Sequence, residues 1–294
     1  MLLLPRRPLY SERRATEERR RLGYRTVISL VALVVGAVAL SWASYRPEAT
    51  IREVRVSGVK SLSEGEVRDF VFAALSGTRA KIFNKANSFL YPRHAVEEGL
   101  LSAFPRLKEA VVSRAGLAAL RITVEEREPS FLWCGEKLPV GTERNDCYFL
   151  DRDGIAFTRA PYFSGAVYFE MYGALSGGPR FVPRTGDFAT IGHPFLPDTE
   201  WRRLLAFKDA LLEAGIPVKK IVVEQAGGDA FFIFPSGVRF IFSFTQDFNA
   251  VLFNLLAALE TEPLTDDVFY ATDGSAPLEY LDARFENRIF YKGF

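Results

Sequence analysis

The sequence has little of what catalytic and metal centres are usually built from. Its 294 residues hold two cysteines, Cys134 and Cys147, and two histidines, His94 and His193. Two cysteines are too few for a disulfide scaffold, and histidines 99 positions apart make a poor start for a His-based metal or catalytic site. The common chemical motifs are missing as well. There is no Gly-x-x-x-x-Gly-Lys loop to cradle a phosphate, no Gly-x-Ser-x-Gly turn to present a nucleophile, and no His-Glu-x-x-His. Carboxylates are many, but a charge pair on a strand is usually a solvated face. These absences lead to the expectation of a protein that is not an enzyme, holds no metal or cofactor and acts on no small-molecule substrate. Net charge is scarce too: 37 Lys+Arg stand against 36 Asp+Glu, a formal +1, which argues against a large basic face for nucleic acid. No internal repeat or low-complexity tract is visible. What remains is the balance of an ordinary folded chain, 48% apolar and 25% charged, long enough for two domains.

The small net charge hides an asymmetry. Residues 1–45 carry eight arginines and three acids, a net +5, while residues 46–294 carry 29 basic against 33 acidic side chains, a net −4. Between Arg25 and Arg46 stand twenty uncharged residues, Thr26 to Tyr45. As a helix, twenty residues span about 30 Å, the thickness of a bilayer's hydrocarbon core. Trp42 and Tyr45 sit at the far end, where amphipathic rings favour the membrane interface. The arginines precede the run, so the positive-inside rule places residues 1–25 in the cytoplasm as a basic tail and the 249 residues after the span outside. Two other readings compete: a buried core helix, and a cleaved signal peptide with Ala37-Val38-Ala39 as its small-residue site. The run is longer than a usual signal core and comes after a 25-residue lead, which favours an uncleaved anchor.

The part after the span reads as two modules. The first covers residues 49–126. Ile51-Arg52-Glu53-Val54-Arg55-Val56 alternates as a half-buried strand and Gly58 ends it. Ser63-Glu64-Gly65-Glu66 has capping-box spacing, and Val67, Phe70, Val71 and Ala74 lie on one helical face until Gly77. Pro92 suits the first turn of a second helix, in which Val96, Leu100 and Leu101 form the buried stripe. Ala110–Ser113 and Leu120–Val124 are β-type runs around the turn residues Ala115-Gly116. The predicted order is β-α-α-β-β.

The second module covers residues 127–294. Tyr148–Leu150 and Ile155–Phe157 flank Asp151-Arg152-Asp153-Gly154, a hairpin turn whose Asp-x-Asp-Gly hints at calcium without the remaining ligands of such a loop. Gly173 to Thr199 contains five glycines and four prolines and predicts a long irregular loop. Asp198 is placed to cap a helix bearing Trp201, Leu204, Leu205, Leu211 and Leu212. Lys220–Val223, Phe231–Phe234 and Val238–Phe242 read as strands. Asp247 opens a second helix with Phe248, Val251, Leu252, Leu255, Leu256 and Leu259 on one side. Two β-type runs, Leu278–Phe285 and Arg288–Tyr291, close the chain. The fold class is therefore α+β: one N-terminal apolar helix, a β-α-α-β-β module and a mixed α/β module with a largely antiparallel sheet. Outside the cytoplasm Cys134 and Cys147 could form a disulfide across a turn-rich loop; two separate buried thiols is the alternative.

Several local motifs fall together in order and spacing. Ile51 to Gly58 has the form I-x-x-V-x-V-x-G. Leu107–Val112 and Leu120–Val124 lead into Glu126-Arg127-Glu128-Pro129, an E-R-x-P exit, with Trp133 just after it. Asp151 and Gly154 give D-x-x-G, Tyr280–Phe285 approximates Y-[IV]-D-L-R-[FY], and Asn287 to Lys292 supplies a last strand. With the basic tail and the span, this pattern resembles the bitopic bacterial cell-division proteins FtsQ and DivIB, whose first outer module is a POTRA domain. Gly116 stands where that family usually has proline, Ala283 replaces its leucine, and the cysteines and the Gly173–Thr199 loop lie outside its general pattern.

The resemblance implies a non-catalytic scaffold of the divisome, single-pass in the bacterial cytoplasmic (inner) membrane and enriched at the septum. It implies that early and late division proteins are linked through FtsB/DivIC-like and FtsL-like bitopic partners, and that septal peptidoglycan synthesis is controlled through that link. A terminal strand offers a physical route, because an unpaired edge accepts a partner strand. The candidate partner-binding residues are Tyr280, Asp282, Arg284, Phe285, Arg288, Ile289, Phe290 and Tyr291. In strict alternation Leu281, Ala283 and Phe285 share an apolar face opposite Asp282 and Arg284. The competing reading makes Asp282 and Arg284 a structural pair and the aromatics core. Two further functional readings are a POTRA-containing, membrane-anchored chaperone or secretion adaptor and a singly anchored cell-wall enzyme.

Overall fold

The structure, a computed structural model, describes residues 11–79, 83–140, 146–165, 167–177, 190–224, 227–261, 264, 267–270, 278–286 and 288–293. Arg6 and Arg7 of the basic tail, Gly141, the middle of the Gly173–Thr199 loop and Asn287 lie outside the described residues.

Helix α1 runs Ser11–Ser44. Its stretch Arg19–Ser44 is long and apolar enough to cross a membrane, a description that a signal sequence also meets. Leu30, Leu33, Val35 and Leu40 are each more than three-fifths exposed, so the protein itself supplies no core for this helix.

After a short 3-10 turn, Pro47–Ala49, come the elements β1 (Glu53–Ser57), α2 (Glu64–Leu75), β2 (Thr78–Arg79), β3 (Phe83–Asn84), α3 (Arg93–Ala103), β4 (Leu107–Arg114) and β5 (Ala119–Glu126). Apart from the small β2–β3 pair, this is the expected β-α-α-β-β order. The three-stranded sheet has the order β1-β5-β4, with β1 parallel to β5 and Val54 opposite Leu120. Strand β5 alternates from Leu120 onward: Leu120, Ile122 and Val124 are buried while Arg121, Thr123 and Glu125 are exposed. Helix α2 packs on β1 through Val67, Val71 and Leu75, each buried one turn after the last. The expected capping box does not form. Ser63 occupies the N-cap, but its hydroxyl makes no cap bond, and the helix starts on the Ser63 carbonyl, which accepts from Val67 N–H at 3.3 Å.

The remainder holds β6 (Phe131–Trp133), β7 (Tyr148–Leu150), β8 (Ala156–Arg159), β9 (Glu170–Tyr172), α4 (Asp198–Glu213), β10 (Lys220–Val223), β11 (Asp229–Ile233), β12 (Arg239–Ser243), α5 (Phe248–Leu259), α6 (Asp267–Tyr270), β13 (Leu278–Phe285) and β14 (Arg288–Gly293). The strands form one nine-stranded sheet, ordered β14-β13-β12-β11-β10-β9-β6-β7-β8. It is mixed. The pairs β12–β13, β9–β10 and β6–β9 are parallel, and the others antiparallel. Parallel neighbours need a long crossover, and α4 between β9 and β10, and α5 with α6 between β12 and β13, provide two of them.

Helices α4 and α5 cover one face through Trp201, Leu204, Phe207, Leu211, Phe248, Val251 and Leu255. Phenylalanines dominate this core: Phe207 stacks on Phe248 at 4.7 Å and Phe232 on Phe242 at 5.1 Å. Offset and edge-on ring pairs add stabilisation beyond the area they bury. Asp247 caps α5 by accepting from Asn249 N–H at 3.0 Å. In α4 the N-cap is Pro197 rather than Asp198, which becomes the first helical residue and sets its charge near the positive end of the helix dipole.

Contacts group the chain into two compact units. The first comprises Met1–Ser57, Leu62–Glu97 and Val111–Thr123; the second comprises Gly58–Ser61, Glu98–Ala110 and Val124–Phe294. In the second unit the E-R-x-P exit is held on both sides. Buried Glu126 accepts from Lys60 N–H at 2.6 Å and from the Ser61 N–H and hydroxyl, and Arg127 pairs with Asp151. Asp151 also accepts from Asp153 N–H and Ile155 N–H, both at 2.9 Å, which closes the β7–β8 hairpin turn.

Candidate functional site

Two edges end the large sheet, and they differ. The outer side of β8 is occupied at its first residue: Ala156 N–H donates to the His193 carbonyl at 3.0 Å, and Gly192 N–H donates to the Ala156 carbonyl at 2.7 Å. Strand β14 pairs with β13 alone, and among the described residues no strand lies on its outer side. Open edges of this kind invite pairing with another chain.

The β13–β14 register departs from simple alternation. Asp282 lies opposite Phe290 and Phe285 opposite Arg288, so Ala283 and Arg284 together face Ile289. Two residues against one is a β-bulge, which kinks the strand and re-aims the side chains beyond it. Asp282 and Ala283 are consequently both buried, and Arg284 and Phe285 both exposed. The expected apolar face of Leu281, Ala283 and Phe285 is thus corrected: Phe285 turns out of it, half exposed, because of the bulge.

The bulge assembles an aromatic cluster. The rings of Phe285 and Phe290 meet edge to face at 4.9 Å, and both are about half exposed, as is Tyr291. Arg288 is exposed beside them. Ile289 is half-buried against the helix-covered core, and Tyr280 is half-buried near the Arg239 guanidinium. Of the candidate residues, the structure therefore brings Phe285, Phe290 and Arg288 together at the surface, with Arg288 directly across from Phe285, while Tyr291 is exposed on the face of β14 that Ile289 shares.

Asp282 and Arg284 pair with each other, and Arg284 also reaches β11. The Arg284 guanidinium donates to Asp282 from Nε at 2.9 Å and from Nη2 at 2.7 Å, and its Nη1 donates to Asp229 on β11 at 2.7 Å. Burial pushes the Asp282 carboxyl up, but the hydrogen bonds and charge of Arg284 outweigh it and hold the group below its ordinary range. Arg284 is raised in turn, first by Asp282 and then by Asp229. Gln246 adds a bond from Nε2 to the Ala283 carbonyl at 2.7 Å. Glu279 joins three strands: it accepts from Arg239 on β12 at 2.7 Å and pairs with Lys292 on β14 at 2.6 Å. These groups stiffen the strand beneath the edge. The residue pattern does not by itself assign these ion pairs to Asp229, Arg239, Glu279 or Lys292. Glu279 and Lys292 flank or lie within the terminal motifs and are legible there, whereas Asp229 is 55 positions from Arg284 and carries no local signal.

Cys134 and Cys147 are disulfide-bonded, with Cα atoms 4.1 Å apart. They sit on the sheet face away from α4 and α5, packed with Leu132, Tyr172 and Val222. A cavity of about 560 Å³ opens beside them. Three of its polar groups pair with one another: Lys220 with Glu170 at 2.6 Å, and the Tyr172 hydroxyl donates to Glu170 at 2.8 Å. Burial, and then Glu170, push the Tyr172 hydroxyl upward, away from any role as a base near neutrality. Among the described residues no group of three or more His, Cys, Asp and Glu is placed to hold a metal ion. A scan against protein-family models matches none, and no curated protein matches the chain.

Proposed function

We propose that the chain is a non-catalytic, membrane-anchored scaffold of the FtsQ/DivIB type, and that β14 is its partner-binding edge. The observation that carries the reading is the pairing of an open terminal strand with the exposed aromatics Phe285, Phe290 and Tyr291. A partner segment adding alongside β14 gains main-chain hydrogen bonds over six residues, about 20 Å of strand. Large aromatic side chains supply the anchors, as they do in most protein interfaces. The internal pairing of Asp282, Arg284 and Asp229 keeps the strand beneath that edge pre-ordered, which lowers the entropic cost of association. With helix α1 as a single span and the basic tail inside, the edge faces the outer compartment, where bitopic FtsB/DivIC-like and FtsL-like division proteins present their extracytoplasmic segments. The early–late link and the control of septal peptidoglycan synthesis act through that contact.

The test is co-purification of the full-length protein with FtsB/DivIC-type and FtsL-type partners from membranes, together with a fluorescent fusion in dividing cells. The expected result is capture of the partners, a midcell band, and loss of capture when residues 286–294 are deleted. Undiminished capture by the truncated chain, or a diffuse membrane signal, overturns the reading.

A further inference from the structure

The end of α1 is bonded into the first unit. Ser44, its last residue, is 2% exposed. Its carbonyl accepts from Asn87 Nδ2 at 3.1 Å, and its hydroxyl accepts from Asn84 N–H at 3.3 Å. The residues just beyond are bonded to the same neighbourhood. Ser88 N–H donates to the Ala49 carbonyl and Ile51 N–H to the Ala86 carbonyl, each at 2.8 Å. Arg52 N–H and Glu53 N–H both donate to the Ala118 carbonyl, at 2.8 and 3.2 Å. The turn after β3 is therefore fastened to the helix end itself, and the turn between β4 and β5 to Arg52 and Glu53, eight and nine residues after Ser44.

Those turns display large apolar side chains at the surface. Phe89 and Leu117 are each 62% exposed and Leu90 is 40% exposed. The first turn is rigid, since Asn87 Oδ1 accepts from Phe89 N–H at 3.0 Å and the Asn87 carbonyl accepts from Tyr91 N–H at 2.9 Å. Phe89 is two residues past Asn87, so its Cα lies within about 8 Å of the residue that holds the helix end. The headgroup layer on each side of a bilayer is about 5–8 Å deep. The cations are placed for that layer as well. Arg114 stands over the Phe89 ring at 4.6 Å, and Arg46 over the Trp42 ring at 3.9 Å, each a guanidinium above an aromatic ring.

We propose that this end of the first unit is a lipid-binding surface: Phe89, Leu90 and Leu117 rest in the headgroup layer of the bilayer that α1 crosses, with Arg46 and Arg114 at the level of the lipid phosphates. The occupant is the membrane because the patch continues the exit of the span itself. The proposal rests on the membrane-span reading of α1 and goes beyond it, since a span joined to a free linker needs no second contact.

The experiment uses the full-length protein in vesicles of phosphatidylcholine with phosphatidylglycerol, carrying one spin label per variant. Labels are attached at Phe89→Cys and Leu117→Cys, with Leu33→Cys as the reference within the span and Glu66→Cys as the aqueous reference. Glu66 is exposed in the first turn of α2, beyond the far end of β1. The native cysteines are disulfide-bonded and do not label without reductant. Collision with oxygen is compared with collision with a water-soluble nickel chelate. Labels at 89 and 117 are expected between the two references, and nearer to Leu33 than to Glu66. If Leu33 reads as lipid while 89 and 117 match Glu66, the lipid-surface proposal falls and the span reading stands. Should Leu33 itself read as water, the span reading falls and takes the proposal with it. Shielding of 89 and 117 from both reagents marks a protein-covered surface and also overturns the proposal. Phe89→Trp in a Trp42→Phe background, exposed to lipids with brominated tails, repeats the measurement without a label: quenching beyond that of Trp42→Phe alone supports the proposal, and no added quenching overturns it.

Discussion

Arg284 on β13 and Asp229 on β11 lie on opposite sides of β12, and the guanidinium spans that strand to reach the carboxylate at 2.7 Å. The same side chain grips Asp282 with two further bonds. The two ends of this arrangement are not equivalent. Asp282's side chain is 8% exposed and Arg284's 38%. Arg284→Ala strands a buried carboxylate, and such a loss costs about 3 kcal/mol at the lower end of the range for broken buried pairs, given the partial exposure. Asp282→Ala leaves a cation that keeps Asp229 and water, and costs about 1–2 kcal/mol. Denaturant unfolding of the two variants checks the order; equal losses refute it.

The same pair sets an acid limit on stability. The folded-state carboxyl of Asp282 lies below its unfolded value, because Arg284 overcomes the opposing effect of burial. Its contribution is therefore complete above the unfolded value of about 3.9 and is lost as pH falls through the lower, folded value. Stability of the native protein is expected to drop on acidification below about pH 4. Asp282→Asn should flatten that part of the profile, measured as unfolding midpoint against pH, while lowering stability at neutrality.

Partner affinity and fold stability should separate along β14. Phe290 is half exposed and touches Phe285, whereas Ile289 packs on the core. Phe290→Ala is expected to weaken partner binding about thirtyfold, or about 2 kcal/mol, with little change in the unfolding midpoint. Ile289→Ala should lower the midpoint as well. Titration calorimetry beside thermal unfolding distinguishes the two, and a Phe290→Ala variant that binds normally removes the aromatic cluster from the interface.

Glycine is required at one turn for two reasons and at another for only one. Gly154 has φ +74°, and a Cβ there would meet the Trp201 ring at 2.8 Å; Gly237 has φ +89° with open space around it. Gly237→Ala should cost about 1–2 kcal/mol from the backbone alone. Gly154→Ala adds a steric cost of about 1–3 kcal/mol, and the Trp201 bond from Nε1 to the Arg152 carbonyl limits how far the ring can retreat. Matching unfolding losses for the two variants would show that the ring does move aside.

Much of the architecture is legible in residue pattern because it rests on long or strongly periodic segments. The apolar run of α1, the alternation of β5 from Leu120 onward and the Asp247-capped α5 are cases where local preference and final structure agree. Strands β6 and β9 are not legible in that way. Each is three residues long, too short to show a period, and β9 is fixed by its parallel neighbours β6 and β10. In α4 the buried face differs from the expected one: Phe207 is buried and Leu212 is 58% exposed, because the phenylalanine cluster of β11 and β12 selects an aromatic partner. At the candidate edge the terminal strands are legible but the bulge is not. It depends on which residue of β14 pairs with which of β13, and that register is not written in either strand alone.

The disulfide offers the last test, and its loop is short. Cys134 and Cys147 are 13 positions apart, so in the chain-entropy picture their link restricts the unfolded chain by about 3 kcal/mol. The bridge also packs with Leu138 and Phe163 in the smaller apolar cluster, so both sulfurs contribute packing. Cys134→Ala with Cys147→Ala together should therefore cost slightly more than reduction of the native protein, and the doubly substituted protein should be indifferent to reductant. Partner binding at β14 should survive in both, since the bridge joins the end of β6 to the approach to β7, and β6 is six strands from β14 in the sheet order. Thermal unfolding with and without reductant gives the first comparison and partner titration the second. Loss of binding on reduction would mean that the edge depends on order at the opposite half of the sheet.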